Sequence, residues 1–251
     1  MKKYAIIVAG GSGTRMQAEI PKQFLLLAKK PILMHTIQQF EKYSVENISK
    51  ENNPKERLEI ILILPQEQIS FWEELCKKHG FDTPHTIIAG GKSRYQSVKN
   101  GLNSIKIEEN SNENNQNHEN LSAIVAIHDG VRPLVSVEII AESFEMAKNK
   151  GNAVVCVPLK DSIRLVNTVN NTSQAVNRAD FRLIQTPQTF QISQIKKAYL
   201  LPETPELTDD SSVVEKAGFQ VHLLEGSYQN IKITTPEDLI FAETLFLKCE
   251  V

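Results

Sequence analysis

Cysteine is scarce in this sequence: Cys76, Cys156 and Cys249 lie far apart in 251 residues and form no CxxC pair. An odd, scattered set of this kind excludes a disulfide framework and a thiolate metal knuckle, and reads as buried or incidental thiols. Charge of one sign is lacking too, since 28 Lys plus Arg face 30 Asp plus Glu. A net charge of -2 removes any global electrostatic case for nucleic acid or an anionic membrane, so an anion site has to be local. Long hydrophobic runs are also missing. The apolar runs are of strand length, and Lys2-Lys3 is followed by only six residues before the first glycine, which is not a signal pattern. These absences predict a soluble cytoplasmic protein with no membrane or nucleic-acid partner.

What is present is an alternation. Ile- and Val-rich runs at residues 4–9, 58–64, 122–127 and 153–157 have the length and composition of strands buried on both faces. Between them, Val98, Leu102 and Ile105 recur at helical spacing after Ser93, and residues 137–150 place Ile140, Phe144 and Ala147 on one stripe that ends at Gly151. The length suits one domain over residues 1–251, and the order implies an α/β fold with a doubly wound, mostly parallel sheet. Ligands in such sheets gather beyond the carboxyl ends of the strands.

Two segments break the rhythm. The Asn- and Glu-rich stretch at about residues 106–120, EENSNENNQNHEN, cannot contribute to a core and reads as a disordered-like insert. Residues 158–186 contain two strand-like pieces, 163–166 and 182–184, joined by a polar segment at 167–174. That pattern predicts a projecting β-hairpin arm, which as an isolated two-stranded unit needs a partner surface.

The first strand opens directly into AGGSGTRM, followed by PKQF. Gly10, Gly11 and Gly13, together with the backbone of Ala9, suit a concave anion site, because backbone N–H groups without a Cβ approach phosphate closely. No Walker A pattern is present, and Met16 stands where the dinucleotide fingerprint needs its third glycine. Arg15 and Lys22 follow the glycines within a dozen residues. An anion-cradling loop with two flexible cations matches the charge that develops in phosphoryl or nucleotidyl transfer. Thr208-Asp209-Asp210 precedes a predicted helix at 211–217 and reads as a helix start, or a distal contact to substrate hydroxyls, rather than a metal pair.

Four later motifs narrow the reading: GGKSRYQSV at 90–98, HDGVRP at 128–133, TPQTF at 186–190 and NIKITTPEDL at 230–239. With the glycine loop they resemble the 2-C-methyl-D-erythritol 4-phosphate cytidylyltransferase family, within the Rossmann-like sugar-phosphate nucleotidyltransferase fold. The motifs keep the family's order and span nearly the whole chain. The departures are the Asn-rich insert, an extended connection around residues 46–57, and Gly130-Val131 where many members have two alanines.

The resemblance implies a transfer from CTP to methylerythritol phosphate, with release of pyrophosphate, in non-mevalonate isoprenoid biosynthesis. It implies Mg²⁺ as the divalent cofactor and a homodimer formed through the arm. The nucleophile is an ionised phosphate oxygen, so no protein base or nucleophile is needed. By carry-over, Arg15 and Lys22 stabilise the transition state, and Lys232 approaches both phosphates. Gly91, Lys92 and Ser97 read cytosine, whose amino group and ring nitrogen distinguish it from uracil, and Arg94 orients that loop or reaches the nucleotide. Asp129 lies near ribose and substrate hydroxyls or the metal, whose ligands the resemblance leaves unassigned. Arg132, Ser162, Arg178 and Thr186 serve the acceptor, with Ser162 and Arg178 completing the neighbour's site. His128 is expected to be a structural hydrogen bonder. Two other readings stay open at this point: a ribitol 5-phosphate cytidylyltransferase, disfavoured by Lys160-Asp161-Ser162 and VNRADF, and a nucleotide-binding scaffold without turnover.

Overall fold

The computed structural model describes residues 1–11, 16, 20–51, 57–106 and 123–249, the side chains of 50, 51, 248 and 249 excepted. The Asn-rich insert expected at 106–120 falls outside them except for Lys106. In chain order the elements are β1 (Lys2–Val8), the short pair β2 (Leu26–Leu27) and β3 (Lys30–Pro31), α1 (Ile32–Glu51), β4 (Glu59–Leu64), α2 (Ile69–His79), β5 (Thr86–Ala89) and α3 (Arg94–Ser104). There follow β6 (Ala123–Asp129), α4 (Val137–Lys150), β7 (Asn152–Pro158), β8 (Ile163–Asn167), β9 (Thr172–Val176), β10 (Arg182–Gln191), α5 (Ile192–Ala198), α6 (Asp210–Lys216), β11 (Leu223–Glu225) and α7 (Pro236–Cys249).

Seven strands form one sheet in the order β11-β7-β10-β6-β1-β4-β5. All neighbours are parallel except β10, which runs antiparallel to both β6 and β7. The strands read as unbroken apolar runs because both faces are covered. Along β1, Ala5 and Ile7 pack into a core with α1, α2 and α4 through Phe40, Trp72 and Phe144. Tyr4 and Ile6 face the opposite core, made with α3, α5 and α6 through Val98, Ile195 and Val213. Enclosing a side chain such as Ile6 contributes about 1.5–3 kcal/mol. A third cluster, with Leu27, Ile32, Val131, Ile233 and Ala242, fastens α7 beside the loop after β6.

Local chemistry sets the helix ends. Ser93 accepts from Gln96 N at the start of α3, and Ser136 accepts from Ile139 N at the start of α4. Gly151 ends α4 at φ 93°, a conformation that side chains resist. Asp209 forms a capping box with Ser212 at α6, in agreement with the helix-start reading of the acidic pair.

Two expectations are corrected. The hairpin strand opposite β8 is β9, not residues 182–184, which pair with Val157 and its neighbours in the main sheet. The connection expected around 46–57 begins as helix, because α1 continues to Glu51.

Candidate active site

The carboxyl ends of β1, β4, β5 and β6 meet at one edge of the sheet. Val8 and Asp129 are in register as the last residues of β1 and β6. The ladder runs on into the loops: Ala9 N donates to Ile63 O at 3.0 Å, Gly130 N to Val8 O at 2.8 Å, and Gly90 N to Leu64 O at 2.8 Å. This continuation brings AGG, GGKS and HDGVRP side by side around a cleft of about 130 Å³. Its lining includes Gly10, Gly11, Lys22, Arg94, Ser97, Asp129 and Lys232. Arg15 and Gly13 lie outside the described residues.

Asp129 organises the cleft. Its Oδ2 is 3.0 Å from Lys232 Nζ and 3.3 Å from Arg132 Nε, and its Oδ1 is 3.9 Å from Arg94 Nε. Burial on its own would raise this carboxyl, but Lys232, then Arg94 and Arg132, outweigh it and hold the group well below the usual carboxylate range. Arg132 is buried and is further fixed by Nη1 donating to Asn230 O at 2.8 Å. Lys232 is 41% exposed at its side chain, so its ammonium reaches solvent on the cleft side.

Behind Asp129 stands a relay of hydrogen bonds. Asp129 N donates to Thr186 Oγ1 at 3.1 Å, that hydroxyl faces His128 Nδ1 at 3.1 Å, and His128 Nε2 faces Arg132 O at 3.1 Å. A carbonyl can only accept, so Nε2 carries a proton, and burial favours the neutral imidazole. Burial depresses the His128 pKa to about 4, against the opposing hydrogen bond to Arg132. His128 is therefore a structural hydrogen bonder, as expected. Thr186 sits with it in the interior, its hydroxyl engaged by two protein partners.

The glycine loop passes close to Lys22. A Cβ on Gly11 would lie 3.5 Å from Lys22 Nζ, an ordinary contact distance, so the ammonium end of Lys22 lies beside the loop. Gln23, the next residue, gives its amide to Ala9 O at 2.9 Å and to Gln68 Oε1 at 2.7 Å, bracing loop and lysine together. The Ala9 N–H is spent on Ile63 O, and among the described residues of the loop Gly10 and Gly11 are exposed.

In GGKSRYQSV, Ser97 is buried rather than on the helix surface. Its Oγ accepts from Gly91 N at 3.1 Å and donates to Ser93 O at 2.8 Å, while Lys92 N donates to Gln96 Oε1 at 3.1 Å. Arg94 turns the other way, with Nη2 2.6 Å from Asp210 Oδ2. Asp210 is fully buried and also accepts from Tyr199 Oη at 2.6 Å. Burial opposes the charge on Arg94, and Asp210 outweighs it, raising the guanidinium pKa.

The arm residues stand apart from this assembly. Ser162 and Arg178 are exposed, and Arg178 donates to Lys160 O at the root of the hairpin. The supports that residue-by-residue reading missed sit inside the same motifs: Gln23 in PKQF, Gln188 in TPQTF, which holds Asp209 at 2.7 Å, and Asn230 in NIKIT. Asp210 belongs to the acidic pair read as a helix start, but its link to Arg94, 116 positions away, has no such signal.

The arrangement concentrates Lys22, Arg94, Arg132 and Lys232 around two carboxylates beside an exposed glycine loop. Such a surface neutralises polyanions.

Comparison with known proteins agrees with this geometry. Residues 4–248 match the family model described as IspD, 2-C-methyl-D-erythritol 4-phosphate cytidylyltransferase. Proteins of that name from Bacteroides thetaiotaomicron and Bacteroides fragilis are 41% and 43% identical over 245 residues, covering 98% of this chain and 100% of their own. A crystal structure of 4-diphosphocytidyl-2C-methyl-D-erythritol synthase from Anaerococcus prevotii aligns with a TM-score of 0.74 at 26% identity, covering 98% of this chain and 96% of that one. The Francisella tularensis 2-C-methyl-D-erythritol 4-phosphate cytidylyltransferase structure gives 0.72 at 28% identity, with 97% and 99% coverage.

Proposed function

The chain belongs to the 2-C-methyl-D-erythritol 4-phosphate cytidylyltransferase family, and on that premise we propose how its own residues perform the transfer. The enzyme joins the 4-phosphate of methylerythritol phosphate to the α-phosphorus of CTP, releasing pyrophosphate, in isoprenoid biosynthesis. The attacking oxygen is already ionised near neutral pH, so the difficulty is bringing two polyanions together and stabilising charge on a crowded phosphorus.

Lys22 and Arg15 take the role of charge donors at the α-phosphate, with the Ala9–Gly13 backbone along the triphosphate. Lys232 bridges both phosphates and orients the nucleophile. Asp129 holds Lys232 and Arg132 in place before substrate arrives and meets substrate hydroxyls afterwards. Gly91, Lys92 and Ser97 frame the base, and Arg132 and Thr186 support the acceptor side, Thr186 by holding Asp129. The observation that carries this reading is the Asp129 carboxylate gathering Lys232, Arg132 and Arg94 at the end of β6, beside Lys22 and the glycine loop.

Mg²⁺ fits the donor set as a partner of the triphosphate. Among the described residues lining the cleft Asp129 is the carboxylate, its Oδ2 taken by two cations and its Oδ1 turned toward Arg94 at 3.9 Å, so one protein oxygen would meet an ion held mainly by phosphate. When bound, Mg²⁺ supplies charge neutralisation on the phosphate oxygens.

The domain organisation we propose is one nucleotidyltransferase domain with a dimerisation arm. Strands β8 and β9 pair only with each other, and Leu165, Val166 and Val169 on the hairpin are exposed, Val169 at 90%. An isolated hairpin with exposed apolar side chains supports a homodimer in which Ser162 and Arg178 complete the neighbour's acceptor site. Free thiols at Cys76 and Cys156 support a reducing, cytoplasmic setting; among the described residues no helix is long and apolar enough to cross a membrane.

Pyrophosphate release with CTP and Mg²⁺, offering methylerythritol 4-phosphate and ribitol 5-phosphate in parallel, tests the reading. Turnover confined to the first acceptor is expected. A preference for ribitol phosphate would overturn the assignment of the arm.

A further inference from the structure

Residues 226–232 connect two regions that are far apart in sequence. At one end Lys232 meets Asp129, and the fully buried Asn230 donates to Thr186 O at 2.9 Å while its carbonyl accepts from Arg132. At the other end Gly226 N donates to Cys156 O at 2.8 Å, and Gln185 Nε2 donates to Ser227 O at 2.8 Å. A Cβ on Gly226 would lie 2.6 Å from Val155 Cγ1, so the loop lies tight against the sheet. Between these fixed ends Tyr228 reaches out to the root of the hairpin. Its hydroxyl donates to Pro158 O at 2.8 Å, and Lys160 Nζ stands 3.5 Å above its ring centroid. The Lys160 carbonyl in turn accepts from Arg178 on the return side of the hairpin.

We propose that Tyr228 is a positioning residue that clasps the hairpin root to the loop bearing Lys232, fixing the direction in which the arm leaves the domain. A cation held over an aromatic face and a hydrogen bond to backbone constrain both the side chain and the main chain of residues 158–160. Without the clasp, Asn230 and Lys232 keep their own anchors, but the arm swings on its root. The consequence falls on the acceptor and spares the nucleotide. This rests on the reading in which the arm contributes Ser162 and Arg178 to acceptor binding.

The test is steady-state kinetics of Tyr228→Leu and Tyr228→Phe by pyrophosphate release, with Arg178→Ala alongside and a thermal midpoint for each. Tyr228→Leu is expected to raise KM for methylerythritol phosphate about five- to tenfold while KM for CTP stays within about twofold, and Tyr228→Phe, which keeps the ring under Lys160, to give a smaller rise. An acceptor KM unmoved by Tyr228→Leu overturns the inference. So does a parallel rise in both KM values with a lowered thermal midpoint, the signature of packing alone. An Arg178→Ala enzyme with an unchanged acceptor KM would sink the arm reading by itself, so the two failures are told apart.

Discussion

Removing the carboxylate of Asp210 should damage both stability and nucleotide binding. The side chain is fully buried, takes the Arg94 guanidinium at 2.6 Å and accepts from Tyr199 Oη at 2.6 Å. In Asp210→Ala the guanidinium, 29% exposed, loses its close counter-charge and keeps the more distant Asp129 Oδ1 at 3.9 Å, and a buried hydroxyl loses its acceptor. Breaking a buried pair from one side costs about 3–5 kcal/mol, and the partial exposure of Arg94 argues for the lower end. For a chain of this size about 3 kcal/mol corresponds to a fall in Tm on the order of 10 °C. Asp210→Asn should lose less, about 1–2 kcal/mol, because the amide oxygen still accepts from Tyr199. Arg94→Met/Asp210→Leu should recover part of the stability of Asp210→Ala, since no charge is then stranded. Arg94 borders Asp129, so KM for CTP should rise in Asp210→Ala at temperatures where the protein is folded. Urea unfolding and pyrophosphate-release kinetics on the four proteins measure both effects. A loss below about 1 kcal/mol for Asp210→Ala, or equal losses for Ala and Asn, would refute the claim that the buried charge pair sets this wall of the cleft.

Two further outcomes follow from the geometry. His128 is buried and neutral, with its pKa lowered from 6.5 to about 4, so below pH 6.5 the unfolded chain binds a proton that the folded one refuses. This contribution is fully present above pH 6.5 and is lost as pH falls toward 4, amounting to about 3 kcal/mol, and denaturant unfolding of wild type against His128→Asn should show a shallower fall with pH in the variant. A Cβ on Gly91 would fall 2.4 Å from Gln96 Cβ and 3.2 Å from its carbonyl carbon, so Gly91→Ala must displace the loop from α3. KM for CTP is expected to rise at least tenfold, by roughly 1.4 kcal/mol or more, with the acceptor KM little changed, which initial-rate kinetics would check.

Much of the site was legible because its chemistry sits at strand ends. A strand buried on both faces must end abruptly, and the residues at and beyond its end, AGG after β1 and HDGVRP across the end of β6, are placed at the sheet edge by the strands alone. The hairpin was harder to read. Thr172–Val176 has little apolar content, so β9 gives almost no strand signal, whereas Arg182–Ile184 carries one that belongs to the main sheet. The partners of the Thr186 hydroxyl, Asp129 N and His128, lie 57 and 58 positions away and leave no local pattern. The Arg94–Asp210 pair joins α3 to α6 across the sheet edge, a contact that depends on how the two helices are laid down and leaves no local pattern. The 20-residue α1 went unread for a different reason: beyond its first turn only Ile37, Phe40 and Tyr43 carry large apolar groups into the core, a narrow stripe set among polar residues.

The central claim is that transfer rests on electrostatics supplied by Lys22 and Lys232 rather than on acid-base or covalent chemistry. Single-turnover rates with saturating CTP and methylerythritol phosphate, for wild type, Lys22→Ala and Lys232→Ala across pH 6.5–8.5, test it most directly. The account predicts a loss of about 10²-fold or more in each variant and a rate in wild type nearly flat with pH over this range. A steep pH limb in wild type, or a rate in either variant within about tenfold of wild type, would contradict it.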